Sequence, residues 1–131
     1  MPERLAPPSP LLAPDPHGRI RVLVDDVRVF KDGRPALVAR TSAEAMAVLD
    51  RLGARHIDEL WLDHDLVGED TVQPLVDHLV ALASAGTPAD IGQVLVHSAN
   101  VRAGHRITAE LVAAGYPARR CFAANLWRHA W

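Results

Sequence analysis

Three short apolar runs in this chain each end in residues that could do chemistry. Residues 20–24 run into Asp25-Asp26, residues 57–62 into Asp63-His64-Asp65, and residues 91–96 into His97-Ser98-Ala99-Asn100. A single acid after an apolar run is an ordinary turn or cap residue. Three such clusters in succession point to one polar site. Four carboxylates in one place repel one another. A divalent cation with a taste for oxygen ligands, Mg²⁺ or Mn²⁺, would relieve that repulsion, and Asp25, Asp26 and Asp63 are the expected ligands. His64 and His97 beside that charge suit proton transfer at phosphorus, with Asp63 and Asp65 as carboxylates that assist or orient them. Arg28 follows Asp25 by three residues, and its planar fork fits a phosphate oxygen. Arg40, Ser98 and Asn100 stand next to expected helix starts. They are candidates for phosphate binding there, or for simple capping.

For these clusters to meet, the apolar runs must be neighbouring strands of one parallel sheet. The intervening segments supply the crossovers. Thr41 or Ser42 caps a helix with Glu44 in its first turn; Ala45, Val48, Leu49 and Leu52 form its apolar stripe and Gly53 stops it. A second helix is expected over 72–85 and a third over 103–114, each followed by Gly and Pro. A last short strand is expected over 118–123. Residues 27–30 and 36–39 flank Lys31-Asp32-Gly33, a turn signal that fits either a hairpin or a structured loop. The end of the chain, 125–131, carries two of the three tryptophans and is expected to pack back as a turn of helix. Alternating strands and helices imply βαβ units with right-handed crossovers and helices on both sheet faces. The expected fold is a three-layer α/β/α, flavodoxin-like open parallel sheet of strand order 2-1-3-4-5. In such sheets the ligand crevice lies at the carboxyl ends of the strands.

Composition narrows the function classes. The chain has 131 residues, 14 Lys plus Arg against 16 Asp plus Glu, and 49% hydrophobic residues, which is one ordinary globular domain and not a nucleic-acid coat. No apolar run approaches a membrane span. One cysteine, Cys121, excludes an internal disulfide, and a cytoplasmic setting is expected. Six of the ten prolines fall in residues 1–18, which read as a flexible tail before a domain over 19–131. Thirteen of the fourteen basic residues are arginine, with Lys31 alone, as GC-rich bacterial coding tends to give.

The acid pattern resembles response-regulator receiver domains: Asp25-Asp26 matches their cation-binding pair, Asp63 their phospho-acceptor and Ser98 their switch residue. The phosphate-pairing lysine of their last strand has no counterpart, since only Arg119 and Arg120 lie near it. The first receiver helix is replaced by the loop around residues 28–35. A second resemblance is more specific. Asp25-Asp26-Val27-Arg28, Ala39-Arg40-Thr41 with Glu44-Ala45, Leu62-Asp63-His64-Asp65-Leu66 and Val96-His97-Ser98-Ala99-Asn100 are together similar to the cyclic-phosphate processing receiver family. Val67 stands where that family usually has Gly, with Gly68 one place later, and Val101 replaces a Pro.

This second resemblance implies a phosphoesterase-like domain that opens or hydrolyses cyclic phosphates, with a 2′,3′-cyclic phosphate at an RNA end as a candidate substrate in bacterial RNA repair. One of His64 and His97 would activate water and the other protonate the leaving oxygen. The alternative is a non-catalytic pseudo-receiver that binds or signals. The expected partner is the cyclic phosphate of a nucleotide or RNA end. The missing last helix leaves sheet surface uncovered, which favours a homodimer or protein partner on that side.

Overall fold

The computed structural model describes residues 15–131; the Pro-rich residues 1–14 lie outside the described residues. Seven strands and three helices follow in the order β1 (Arg21–Val24), β2 (Arg28–Phe30), β3 (Leu37–Ala39), α1 (Ser42–Leu52), β4 (Glu59–Leu62), α2 (Gln73–Ser84), β5 (Val94–Val96), α3 (Val101–Ala113), β6 (Ala118–Arg120) and β7 (Trp127–His129). Five strands form a parallel sheet of order β3-β1-β4-β5-β6. Counted within that sheet alone, this is 2-1-3-4-5, the receiver-like flavodoxin order.

The pleat sends alternate side chains to opposite faces. Val22, Val24, Leu60, Leu62, Val94 and Val96 join the cluster that contains the apolar stripes of all three helices. Leu23, Trp61 and Leu95 form a separate cluster with Phe30, against which Leu126 and Trp127 pack. The helices thus cover one face. The other face is covered by a two-stranded antiparallel ribbon, β2 with β7, where helices had been expected. Between β1 and β3 the chain forms β2, and after β6 it forms β7, and aromatic residues on the ribbon take over the burial. Phe30 stacks on Trp127 with ring centroids 4.9 Å apart, and both meet Trp61 edge-on. The turn of helix expected over 125–131 is therefore a short 3-10 turn, Ala124–Leu126, that feeds a strand. Residues 27–30 and 36–39 do not pair as a hairpin; one joins the ribbon and the other the main sheet. Leu126 and Trp127 thus pack on the sheet face that carries no helix.

Local signals set the helix boundaries. Thr41 accepts the Glu44 amide and Glu44 accepts the Arg40 amide, a reciprocal cap for α1. Asn100 accepts the Ala103 amide at the start of α3, a contact of about 1 kcal/mol. Val101 is the first helical residue, where Pro is favoured but not required. Gly68 turns the loop after β4 at φ +65° and so supplies the left-handed residue that Val67 could not adopt without strain. Residues 15–18, placed in the tail by composition, form a turn whose buried Asp15 faces Arg21 at 3.7 Å. Among the described residues, no helix is long and apolar enough to cross a membrane.

Candidate functional site

The three central strands end level with one another. Leu62 pairs with Val24 on one side and Val96 on the other, and the ladder continues one step further through Asp63 N to Val24 O (2.9 Å) and His97 N to Leu62 O (3.0 Å). Asp25, Asp63 and His97 each stand two residues beyond Leu23, Trp61 and Leu95, so all three side chains emerge on the ribbon-covered face. Asp25, Asp26 and Asp63 each offer a carboxylate oxygen, and these oxygens lie within 4.8 Å of one another. This acidic floor is a fitting donor set for a hard divalent cation.

Asp25 is completely buried and fully bonded. Its Oδ1 accepts the amides of Val27 and Arg28 at 2.9 and 2.8 Å, and its Oδ2 accepts from His97 Nε2 at 2.8 Å. Burial pushes this carboxyl up, but the His97 bond and the two amides outweigh it and hold the group below its ordinary value. Burial pushes the His97 ring down, against the pull of Asp25. The pair is therefore a neutral imidazole that donates from Nε2 to a carboxylate. Among the described residues His97 Nδ1 has no hydrogen-bond partner, and the ring is stacked on Trp127 at 4.4 Å with its side chain 1% exposed. His97 lies behind Asp25, not at the open surface.

Asp63 has the opposite fate. No hydrogen bond to its carboxylate is made among the described residues. Burial, followed by the charge of Asp25, pushes it up to about 7; Asp26 and Asp65 add to the rise and Arg28 opposes it. A carboxyl left in this state beside Asp25 and Asp26 is a strong sign of a site built to receive positive charge. Arg28, on the ribbon strand β2, is the cation whose charge acts on it.

The sequence reading brought His64 and His97 to one phosphate, and the pleat separates them. His97 is level with Asp63, whereas His64 is one residue further and turns to the helix-covered face. There its Nδ1 lies 2.7 Å from Asp65 Oδ1 and its Nε2 lies 3.2 Å from Arg106 Nη2 on α3. Since Arg106 can only donate, His64 Nε2 accepts and Nδ1–H donates to Asp65. That bond, helped by Asn100, holds Asp65 below its ordinary value. Asn100 Nδ2 donates to Asp65 Oδ2 at 3.3 Å, and Ser98 Oγ accepts the Asn100 amide at 3.0 Å. Ser98 and Asn100 thus shape and cap the start of α3. Arg40 Nη1 donates to the carbonyls of Asp25 and Arg28 at 2.8 and 2.9 Å; it braces the loop that carries the acidic pair. Arg120, near the place of the receiver lysine, donates to the Val96 and Ser98 carbonyls and lies across Gly104 of α3.

Two contributors carried no signal in the motifs. Arg106 sits on a helix face and is recognisable only once α3 is docked beside His64. Trp127 belongs to a strand too short to read, yet it forms the wall behind His97.

A model of the cyclic-phosphate processing receiver domain matches residues 20–113, and the chain belongs to that family. The matched segment contains the acidic floor, His64, His97 and α3; β6 and β7 lie beyond it. No curated protein and no solved structure matches the chain significantly.

Proposed function

We propose that this member of the cyclic-phosphate processing receiver family hydrolyses a cyclic phosphodiester to a phosphomonoester in the crevice above Asp25, Asp26 and Asp63. The observation that supports this most is the acidic floor whose Asp63 carboxyl is left without a hydrogen bond among the described residues, under the charge of Arg28: a site for a cation and, through it and Arg28, for an anion. Mg²⁺ or Mn²⁺ fits the three carboxylates and, when bound, would polarise a phosphoryl oxygen and acidify water.

The chain's own residues divide the remaining work. Arg28 offsets charge on the phosphoryl oxygens, which grows in the transition state. His97 acts through Asp25, whose carboxylate it fixes by the Nε2 bond. Asp63 has two oxygens, and the one turned from the acidic pair accepts a proton from the attacking water. The P–O bond to one ring oxygen breaks, and that oxygen takes up a proton at the open mouth of the crevice. His64, held between Asp65 and Arg106, fixes the loop after β4 and hence the aim of Asp63. In this reading neither imidazole touches the phosphate, which replaces the two-histidine relay suggested by the motifs. Ser98, Asn100 and Arg40 hold the rim.

The test is a panel of cyclic mononucleotides, cyclic dinucleotides and RNAs ending in a 2′,3′-cyclic phosphate, with Mg²⁺, Mn²⁺ or EDTA. Turnover is expected only with a cation. Asp63→Asn and Arg28→Ala are each expected to reduce it by roughly 10²-fold or more. Lack of turnover across the panel with both cations would reject the proposal.

A further inference from the structure

We infer that the chain just past β7 gives the crevice a nucleobase-binding wall, formed by the open indole of Trp131 beside His129, so that the substrate is read as a nucleoside and not by its phosphate alone. This rests on the proposed cyclic-phosphate reading and adds to it a residue that determines specificity.

The ribbon register places the wall. Arg28 pairs with His129, Val29 with Arg128 and Phe30 with Trp127. Ala130 N donates to Val27 O at 2.8 Å and Lys31 N to Leu126 O at 2.7 Å, so the Arg28–His129 and Phe30–Trp127 pairs are the ones without ladder bonds. Side chains in such pairs stand closest and on one face. For Phe30 and Trp127 that face is turned to the sheet, as their contacts with Trp61 and His97 show. One step up the same face are Arg28 and His129, past His97 and toward the acidic floor. One step further, in the same parity, is Trp131.

The Ala130 bond ties the ribbon to the crevice rim up to the residue before Trp131. The Trp131 ring meets His129 edge to face at 5.7 Å and is 82% exposed. The Phe30–Trp127 pair packs its rings against the sheet, whereas Trp131, past the last ribbon pair, holds its indole in the open. Phosphate and ribose hydroxyls are met by charge and hydrogen bonds, while a flat indole face is suited to a flat base. Trp131 lies beyond the family-matched segment.

The experiment compares the binding of two probes in Mg²⁺ by calorimetry: adenosine 2′,3′-cyclic phosphate and the base-free methyl riboside 2,3-cyclic phosphate. The base is expected to raise affinity roughly 5- to 100-fold. Trp131→Ala should remove that gain, Trp131→Phe should keep most of it, and neither should change affinity for the base-free probe. Equal affinities for the two probes, equal losses on both, or no binding of either would overturn the inference. Turnover of the same probes separates it from the reading beneath it. Tighter, Trp131-dependent binding without turnover keeps the wall and rejects hydrolysis. Equal turnover of both probes by wild type and Trp131→Ala keeps hydrolysis and rejects the wall.

Discussion

Replacing Asp63 with Asn should stabilise the domain at neutral pH when no cation is present, the reverse of what deletion of a structural residue does. The carboxyl rises from 3.8 to about 7 because burial and the Asp25 charge oppose its ionisation. Between those values the native state binds a proton that the unfolded chain releases, so stability falls as pH rises from about 4 to about 7 and is flat above that. The full difference corresponds to at most about 4 kcal/mol. Partial exposure of Asp63 and screening reduce this to roughly 1–3 kcal/mol, or roughly 5–10 °C in melting temperature for a domain of this size. His97 works in the other direction, since burial pushes its pKa down and its contribution is lost as pH falls. The difference between wild type and Asp63→Asn isolates the Asp63 effect. The assay is thermal unfolding in EDTA from pH 4 to 8, repeated with saturating Mg²⁺. The mutant advantage should grow with pH in EDTA and shrink or reverse with Mg²⁺, because a bound cation stabilises only the ionised floor. A difference that is flat with pH, or a mutant less stable at pH 8 in EDTA, would refute the argument.

If His97 positions Asp25, His97→Leu should weaken Mn²⁺ binding by roughly 10- to 100-fold, and His97→Gln, which keeps a donor, should recover most of it; titration calorimetry reads both. Trp127→Ala removes the stack on Phe30 and His97 and should destabilise the fold by about 2–4 kcal/mol in urea, with a loss of Mn²⁺ affinity that an ordinary packing defect would not produce. At Gly104 a Cβ would be driven into the Arg120 guanidinium. Arg120 would have to leave the Val96 and Ser98 carbonyls it bonds, so Gly104→Ala should lower stability by about 1 kcal/mol despite its better helix propensity, and Gly104→Ala combined with Arg120→Ala should be less than additive.

The sheet was legible because each of its central strands is an apolar run stopped by an acid or an imidazole, a pattern that fixes both the strand and the edge its end occupies. The same pattern hid the division between the faces. Asp63 and His97 are level only because Leu62 pairs with Val96, and a register is not written in either strand alone; without it, His64 looked as near to His97 as Asp63 does. The ribbon was illegible for a different reason. Trp127, Arg128 and His129 are too few to show a period, and their partners Arg28, Val29 and Phe30 lie at the other end of the domain. Arg106 was passed over because an arginine on an exposed helix face is ordinary until docking brings it to His64.

The proposed function is the addition of water to a cyclic phosphate in the crevice. Its most direct measurement is the phosphorus NMR spectrum of adenosine 2′,3′-cyclic phosphate incubated with the protein and Mg²⁺ in ¹⁸O-labelled water. The cyclic signal should give way to a single monoester regioisomer carrying one ¹⁸O, and Asp63→Asn or EDTA should prevent this. A cyclic signal that persists unchanged under all these conditions would contradict it.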